Sequence, residues 1–438
     1  MEGVEVQVRI GELPPPRVGN LAFFANLACI FFDNEELTDE LRAMVAGLET
    51  YGCRLYPVLG LLWEGGETIL AVECEPLTEL QDYFGSELGL RLPELATFHP
   101  QEGVVPELRE RVCAMENGIL DGFVIDEQLS WVAQQCGLSL AGTVAGSKRG
   151  NNKLLMHDYF VERGELVFDT VLAATPAEVA GAAAELVGCG YTSGVAKSQV
   201  GASGIGMTRF ELHTPPEIPV CHFHDGPCLV QGWLDASVED IRQIASPSVQ
   251  IFVGSGRVTL YDLTDQILSP DSVHEGNLAP PVSLQSEEVR NECLRLGALA
   301  ACWLHEQGYR GTASADFHVA FRETGAVEVR VCELNARVTG ATYPSVLARH
   351  FHPGGGWIMR NLSLPEPRPA GQLMDDLARP GFLYRPGSDF GVLPINFNYG
   401  PSGEVTKGQF LFVGDDLYCV DRLLREVLAV EDLRFTRD

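Results

Sequence analysis

Hydrophobic and polar positions fall into alternating strand-like and helix-like runs along the chain. Leu21–Phe32 is an apolar run interrupted by Asn26 and reads as a buried strand. Asn34–Leu48 has helical spacing and opens on acids, and Leu129–Cys136 is a helix stopped by Gly137. Arg54–Leu62 and Thr68–Cys74 supply two more strand-like runs. Further on, Thr175-Pro176-Ala177-Glu178 is a capping box with proline at the first helical position. Val179, Ala183, Leu186 and Val187 then give the helix an apolar face, and Gly188 or Gly190 ends it. A strand over Tyr191–Lys197 leads to a loop of small residues, Gly201–Gly206. Leu229–Leu234, Ser248–Val253 and Arg257–Leu263 read as strands, the last two as a hairpin across Gly254-Ser255-Gly256. A long helix over Ser286–Glu306 carries Val289, Cys293, Leu296, Ala300 and Trp303 on one face. Two β runs follow, Thr312–Phe321 and Ala326–Glu333. A Pro/Gly-rich linker near Ser363–Ser388 precedes a small last part with strands around Val392–Asn398 and Gln409–Val413 and a terminal helix. The class is α/β (α+β), without internal repeats.

Length and charge narrow the picture. At about 150 residues per domain, 438 residues suggest about three domains. The chain has 31 basic and 60 acidic residues, a formal net charge of -29, so no nucleic-acid partner is expected. No apolar run reaches the ~20 residues of a bilayer helix, and Met-Glu-Gly-Val-Glu carries acids where a signal peptide carries Lys or Arg. Twelve cysteines without a CxxC pair predict reduced, mostly buried thiols in a cytoplasmic protein that no membrane holds.

The strongest chemical constellation is Glu333-Leu334-Asn335-Ala336-Arg337 at a strand end. Alternation puts Glu333, Asn335 and Arg337 on one face while the strand stays regular. A carboxylate beside an amide oxygen offers hard oxygen ligands for Mg²⁺, and an arginine two residues on can hold phosphate or a developing oxyanion. A tight turn centred on Thr324-Gly325 pairs residues whose numbers sum to 649, which sets Asp316 opposite Glu333. A three-residue loop would break that pairing. Facing carboxylates repel unless a cation lies between them, which favours metal binding over a solvated polar strand end. Lys197 followed by the Gly201–Gly206 loop is a second candidate. Glycines let backbone N–H groups approach phosphate, but the string is neither a P-loop nor a GxGxxG, and a plain hairpin fits it equally well. Cys221, His222, His224 and Cys228 are zinc-type residues at a spacing that fits no standard zinc pattern.

Taken in order, these pieces resemble the ATP-grasp superfamily of carboxylate–amine ligases. Asn152-Lys153 is similar to the family's first nucleotide-reaching lysine, and Gly194-Val195-Ala196-Lys197 to the strand that ends in the second. Ser203-Gly204-Ile205-Gly206-Met207 resembles the loop over the phosphates. Leu229-Val230-Gln231-Gly232-Trp233-Leu234 resembles the hinge that reads adenine, with Gln231 where many relatives carry Glu and with Trp233 and Leu234 at the ring. For the ribose, Glu239 is the choice and Asp235 the alternative. Asp316, Glu333 and Asn335 would hold Mg²⁺, with Mn²⁺ as the alternative, and Arg337 would stabilise the transition state.

The resemblance implies an N-terminal α/β pre-grasp domain over 1–145, an ATP-grasp core over 146–365 and a small C-terminal domain over 366–438. It further implies an ATP-dependent ligase that makes an acyl phosphate from a small amino-acid carboxylate donor. An amine or a peptide N-terminus would then displace phosphate. The flanking parts are similar to those of pheganomycin-type peptide ligases of antibiotic biosynthesis, which join a guanidino-bearing amino acid to a peptide. A dipeptide-forming ligase and a non-catalytic ATP-binding module are the alternatives. A biotin-dependent carboxylase lacks support, because the chain has no biotinyl Met-Lys-Met segment. A homodimer is the default assembly.

Overall fold

Strand Leu21–Phe24 is buried along its whole length and lies at the centre of a five-stranded sheet. Its neighbours are Thr68–Val72 on one side and Ile119–Gly122 on the other, and Glu94–Thr97 and Ser139–Leu140 form the edges. Every pairing in it is parallel, and continuous apolar strands are what a sheet covered on both faces requires. The computed structural model of the chain describes residues 4–437 apart from 46, 236, 237, 239, 270–273, 401, 431, 432 and 434.

The expected strand Leu21–Phe32 is cut short at Phe24, and a 3₁₀ turn follows at Leu27–Cys29. Asn26 causes the break. Its buried amide donates to Val124 O at 2.9 Å and to Asp126 Oδ2 at 3.2 Å, which turns the chain out of the sheet. Asn34 then caps helix Glu35–Met44, as its position before the acids predicts. Arg54–Leu62 is not a strand. It is the end of a 3₁₀ segment, Leu48–Leu55, and a short helix, Leu59–Leu62. Burial on all sides removes the periodicity that would tell the two apart.

A second sheet has four antiparallel strands in the order Ile205–Glu211, Ser193–Ala202, Cys228–Gly232 and Thr170–Ala173. Helix Val179–Gly188 covers one face, burying Val179, Ala183 and Leu186. The third sheet has eleven strands. One end of it is the antiparallel set Ile241–Ala245, Gly311–Arg322, Pro247–Val253, Arg257–Leu268 and His274–Ala279, with Val327–Asn335 paired to Gly311–Arg322. Helix Glu287–Glu306 packs on it through Val289, Cys293, Leu296 and Ala300.

The same sheet continues into the last part of the chain through Gly356–Arg368, Val405–Gly414 and Gly391–Tyr399. The expected linker near Ser363–Ser388 is therefore structured. Strand Gly356–Arg368 runs into it, and helix Ala370–Ala378 follows with Leu373 and Leu377 fully buried. Pro365 and Pro367 fall between the pairs Ser363↔Lys407 and Arg368↔Val405, where the ladder is irregular and a missing N–H does no harm. One cysteine expectation also changes: Cys113 and Cys136, on two helices of the first unit, are disulfide-bonded. Among the described residues, no helix is long and apolar enough to cross a membrane.

Candidate active site

The hairpin Gly311–Arg322/Val327–Asn335 carries the carboxylates. Asp316 does pair with Glu333, and Ser314 with Asn335. The register gets there by two departures that cancel. The turn closes with Arg322 N–H on Ala326 O, a three-residue loop, which puts Phe321 opposite Val327. The register then shifts between Asp316 and Phe317, leaving Cys332 as the extra residue on the facing strand and restoring the pairing at Glu333.

Around the carboxylates the contacts are specific. Asp316 Oδ1 accepts from Ser248 Oγ at 2.6 Å, and its Oδ2 accepts from Asn335 Nδ2 at 3.0 Å. The amide nitrogen of Asn335 being so engaged, its buried Oδ1 is left without any hydrogen-bond partner. Two facing carboxylates with an unpartnered amide oxygen on the side chain bonded to one of them are the hard-oxygen donors that Mg²⁺ or Mn²⁺ takes, so these residues fit a divalent cation. Burial and the Glu333 charge push Asp316 up to about 6. Glu333 moves the other way: burial raises it, but Lys153 and Arg337 more than offset this and hold it below the usual carboxylate range.

Lys153 opens helix Lys153–Glu162, whose cap Asn152 accepts from Leu155 N–H. Its Nζ donates to Gly201 O at 2.9 Å and lies 3.1 Å from Glu333 Oε2, tying the glycine hairpin to the carboxylates. Arg337 lies just beyond the strand end and donates to Asn151 Oδ1 at 2.6 Å. Asn151 also accepts from Ala336 N–H and donates to Ser147 O and Ala336 O, so a fully engaged amide fixes the guanidinium.

Lys197 is buried on strand Ser193–Ala202, and strand alternation puts Val195 on its face. Their cross-strand partners are Leu229 and Gln231. Its Nζ lies 5.6 Å from the centre of the Phe168 ring, which clusters with Leu234 and Ile241 against Cys332. Gln231 donates to Thr170 Oγ1 at 2.9 Å. In the hinge, the Gly232 N–H is taken by Asp169 O and the Trp233 N–H by Ser193 O, while His318 Nε2 lies 3.0 Å from Leu234 O. The Leu234 N–H has no backbone acceptor among the described residues. The Trp233 indole is pinned by Asp235 Oδ2 at 2.9 Å, with the Arg209 guanidinium 4.6 Å above the ring. Glu239 lies outside the described residues.

The Gly201–Gly206 segment is a hairpin tip. Ala202 pairs with Ile205, and Ser203 and Gly204 both have positive φ, 54° and 82°, as a type I′ turn needs. The four zinc-type residues do not converge. Cys228 Sγ points to Lys197 O, and among the described residues no group of three or more His, Cys, Asp or Glu is arranged around a metal position.

The structure thus brings Lys153, Lys197, Asp316, Glu333, Asn335 and Arg337 to one cleft between the four-stranded and eleven-stranded sheets. Solved structures share this fold over nearly the whole chain. An N5-carboxyaminoimidazole ribonucleotide synthetase bound to ADP superposes with a TM-score of 0.57 at 11% identity, covering 97% of this chain and 98% of that one. The chain has the ATP-grasp fold. A biotin carboxylase from Campylobacter jejuni gives 0.56 at 12% identity over 96% of this chain and 92% of its own. The N5-carboxyaminoimidazole synthase of Aspergillus clavatus, solved with ADP and 5-aminoimidazole ribonucleotide, gives 0.55 at 12% over 94% and 99%. Among curated proteins, a [butirosin acyl-carrier protein]–L-glutamate ligase of Niallia circulans is 28% identical over 165 residues. That match spans 36% of this chain and 36% of the ligase, about a third of the relative's length. No family model matches the chain.

Asn151, Ser248 and His318 are the site residues that sequence reasoning missed. Asn151 carried a faint signal as the neighbour of Asn152-Lys153. Ser248 and His318 carried none, because each reaches its partner only across strands.

Proposed function

We propose that this ATP-grasp chain is an ATP-dependent carboxylate–amine ligase. The observation that carries the reading is the facing pair Asp316 and Glu333 with the unpartnered Asn335 Oδ1 beside Asp316, and Arg337 held by Asn151. A substrate carboxylate would attack the γ-phosphorus of ATP, releasing ADP and leaving an acyl phosphate. An amine would then attack the acyl carbon, forming the amide and expelling phosphate. Lys153 and Lys197 hold and neutralise the phosphates, and phosphoryl transfer needs mainly such positioning and charge. Asp316, Glu333 and Asn335 are the residues for Mg²⁺, with Mn²⁺ the alternative; bound there, the cation would offset phosphate charge. Arg337 stabilises the oxyanion of the amine-addition step, and the Ser203-Gly204 tip, with Gly206 behind it, keeps water from the cleft. The Leu234 N–H, with Trp233 and the Phe168 cluster, serves the adenine, while Gln231 acts on the same face as Lys197.

The finer reading is a cytoplasmic ligase of peptide natural-product assembly that joins an amino-acid donor to an amine or a peptide N-terminus. A guanidino-bearing donor is the choice drawn from the pheganomycin-type resemblance. The buried Arg54 guanidinium favours a second, acidic donor class. The test is phosphate release from ATP and Mg²⁺ with pooled amino acids and peptides, followed by mass spectrometry. A new amide product with stoichiometric phosphate is expected. ADP or ATP binding without product from any pool would leave only a regulatory nucleotide-binding module.

A further inference from the structure

Arg54 is buried, 3% exposed, on the 3₁₀ segment Leu48–Leu55 of the first unit. The face of its guanidinium stacks on Tyr51, with Cζ 3.2 Å from the ring centre. Its edge is unused: no carbonyl or carboxylate accepts from any of its nitrogens among the described residues, and Nε is sealed from solvent without a partner. A buried guanidinium without an anion is costly, and one whose face is stacked while its fork stays free is pre-organised for a carboxylate.

Its surroundings lead to the cleft. Tyr343, on the helix that follows Arg337, is fully buried, and burial pushes its hydroxyl up while the charges of both Arg54 and Arg337 act on it. His274 packs against Gly340, where an added Cβ would lie 3.3 Å from its Cε1. Burial and the charges of Arg54 and Arg360 hold its imidazole below the usual histidine range, and its Nε2 lies 2.7 Å from Asn277 Oδ1. Arg360 is engaged with Glu275 at 2.9 Å, so Arg54 is the cation in this group without an acid of its own among the described residues.

We propose that Arg54, flanked by His274 and Arg360, binds the side-chain carboxylate of an acyl donor whose α-carboxylate is the one activated. The donor is then dicarboxylic, with an acidic amino acid as the chemical class. The inference rests on the ligase reading and names its substrate. The Arg54 charge repels a guanidino-bearing donor, while its stacked planar fork matches a planar carboxylate.

Calorimetric titration of the full chain with ADP present tests this, using L-glutamate, its neutral isostere L-glutamine, L-arginine and inorganic phosphate as probes. L-Glutamate should bind at least about tenfold more tightly than L-glutamine, the scale of one charge-assisted pair. Arg54→Gln should erase that preference at unchanged ADP affinity, and Arg54→Lys should restore part of it. Equal binding of glutamate and glutamine, preference for L-arginine, or a preference that survives Arg54→Gln overturns the proposal. Binding of inorganic phosphate without glutamate selectivity overturns the carboxylate assignment. The wild-type comparison stands even if a variant fails to fold. ATP-dependent hydroxamate formation with hydroxylamine and any carboxylate tests the ligase reading separately, whichever donor binds here.

Discussion

At the scale of single residues, function concentrates in atoms whose partners are incomplete or over-determined. Asn335 Oδ1 is incomplete and Arg337 is over-determined, held through an Asn151 amide that has no spare bonds. Arg337→Ala should therefore leave nucleotide binding intact and lower the ligation rate by about 10²–10³, the range for removing one oxyanion donor. Ligation at the wild-type rate would remove the assignment. Asn151→Ala should cost about 10–100-fold in rate with ATP affinity retained, because such loss is typical of outer-shell partners that orient a reacting group. Glu333→Gln should weaken Mn²⁺ binding, read by electron paramagnetic resonance, and abolish product. Of these residues, Glu333, Asn335 and Arg337 were legible because their alternate spacing at a strand end matches their chemistry. Asn151 was not, because it meets Arg337 only after a separation of 186 residues in the chain.

At the scale of elements, local patterns were read well wherever one face is wet. Helix Glu127–Cys136 with Gly137 at φ 66° and helix Glu287–Glu306 follow from periodicity and caps. Segments buried all round, such as Arg54–Leu62, lost that signal, and prolines in the irregular part of Gly356–Arg368 mimicked a linker. The carboxylate hairpin is instructive: its pairing was derivable from arithmetic, whereas the odd loop and the compensating bulge were not. The glycine hairpin yields a graded prediction. Gly204 and Gly206 both have positive φ, 82° and 73°, but a Cβ on Gly204 meets nothing within 4 Å, while one on Gly206 would lie 2.2 Å from Ser198 Oγ. Gly204→Ala should cost about 1–2 kcal/mol in denaturant unfolding, the backbone term alone. Gly206→Ala should cost more and raise the KM for ATP, since Ser198 also bonds Val200 O and Gly206 O and must move. Equal costs for the two variants would refute this account of the tip.

At the scale of the whole molecule, the sheets are joined by buried charges that no local pattern announces. Arg17 crosses from the first unit to the central sheet, donating to Val253 O at 3.1 Å with its guanidinium between Trp63 and Phe252 and 3.7 Å from Asp121. Burial raises Asp121 to about 6 despite Arg17. Between an unfolded value near 3.9 and about 6 the folded state binds the extra proton, so this group makes stability fall as pH rises through that window. Asp121→Asn should flatten that part of the pH–stability profile. A second junction is deeper. Asp262, fully buried on strand Arg257–Leu268, accepts from Arg349 Nη2 at 2.8 Å, Ser345 Oγ at 2.8 Å and Trp357 Nε1 at 3.2 Å. It thereby fastens the helix after Arg337 and strand Gly356–Arg368 to the central sheet. Arg349→Met would strand a carboxylate in the interior and should cost about 3–5 kcal/mol, because the loss is the uncompensated charge more than the pair itself. Adding Asp262→Asn should recover a large part of that loss, since an amide needs no counter-charge. Urea unfolding of the two single variants and the double variant measures the coupling directly. If Arg349→Met costs under about 1 kcal/mol, or the second substitution adds to the damage, the Asp262 charge is not what the junction depends on.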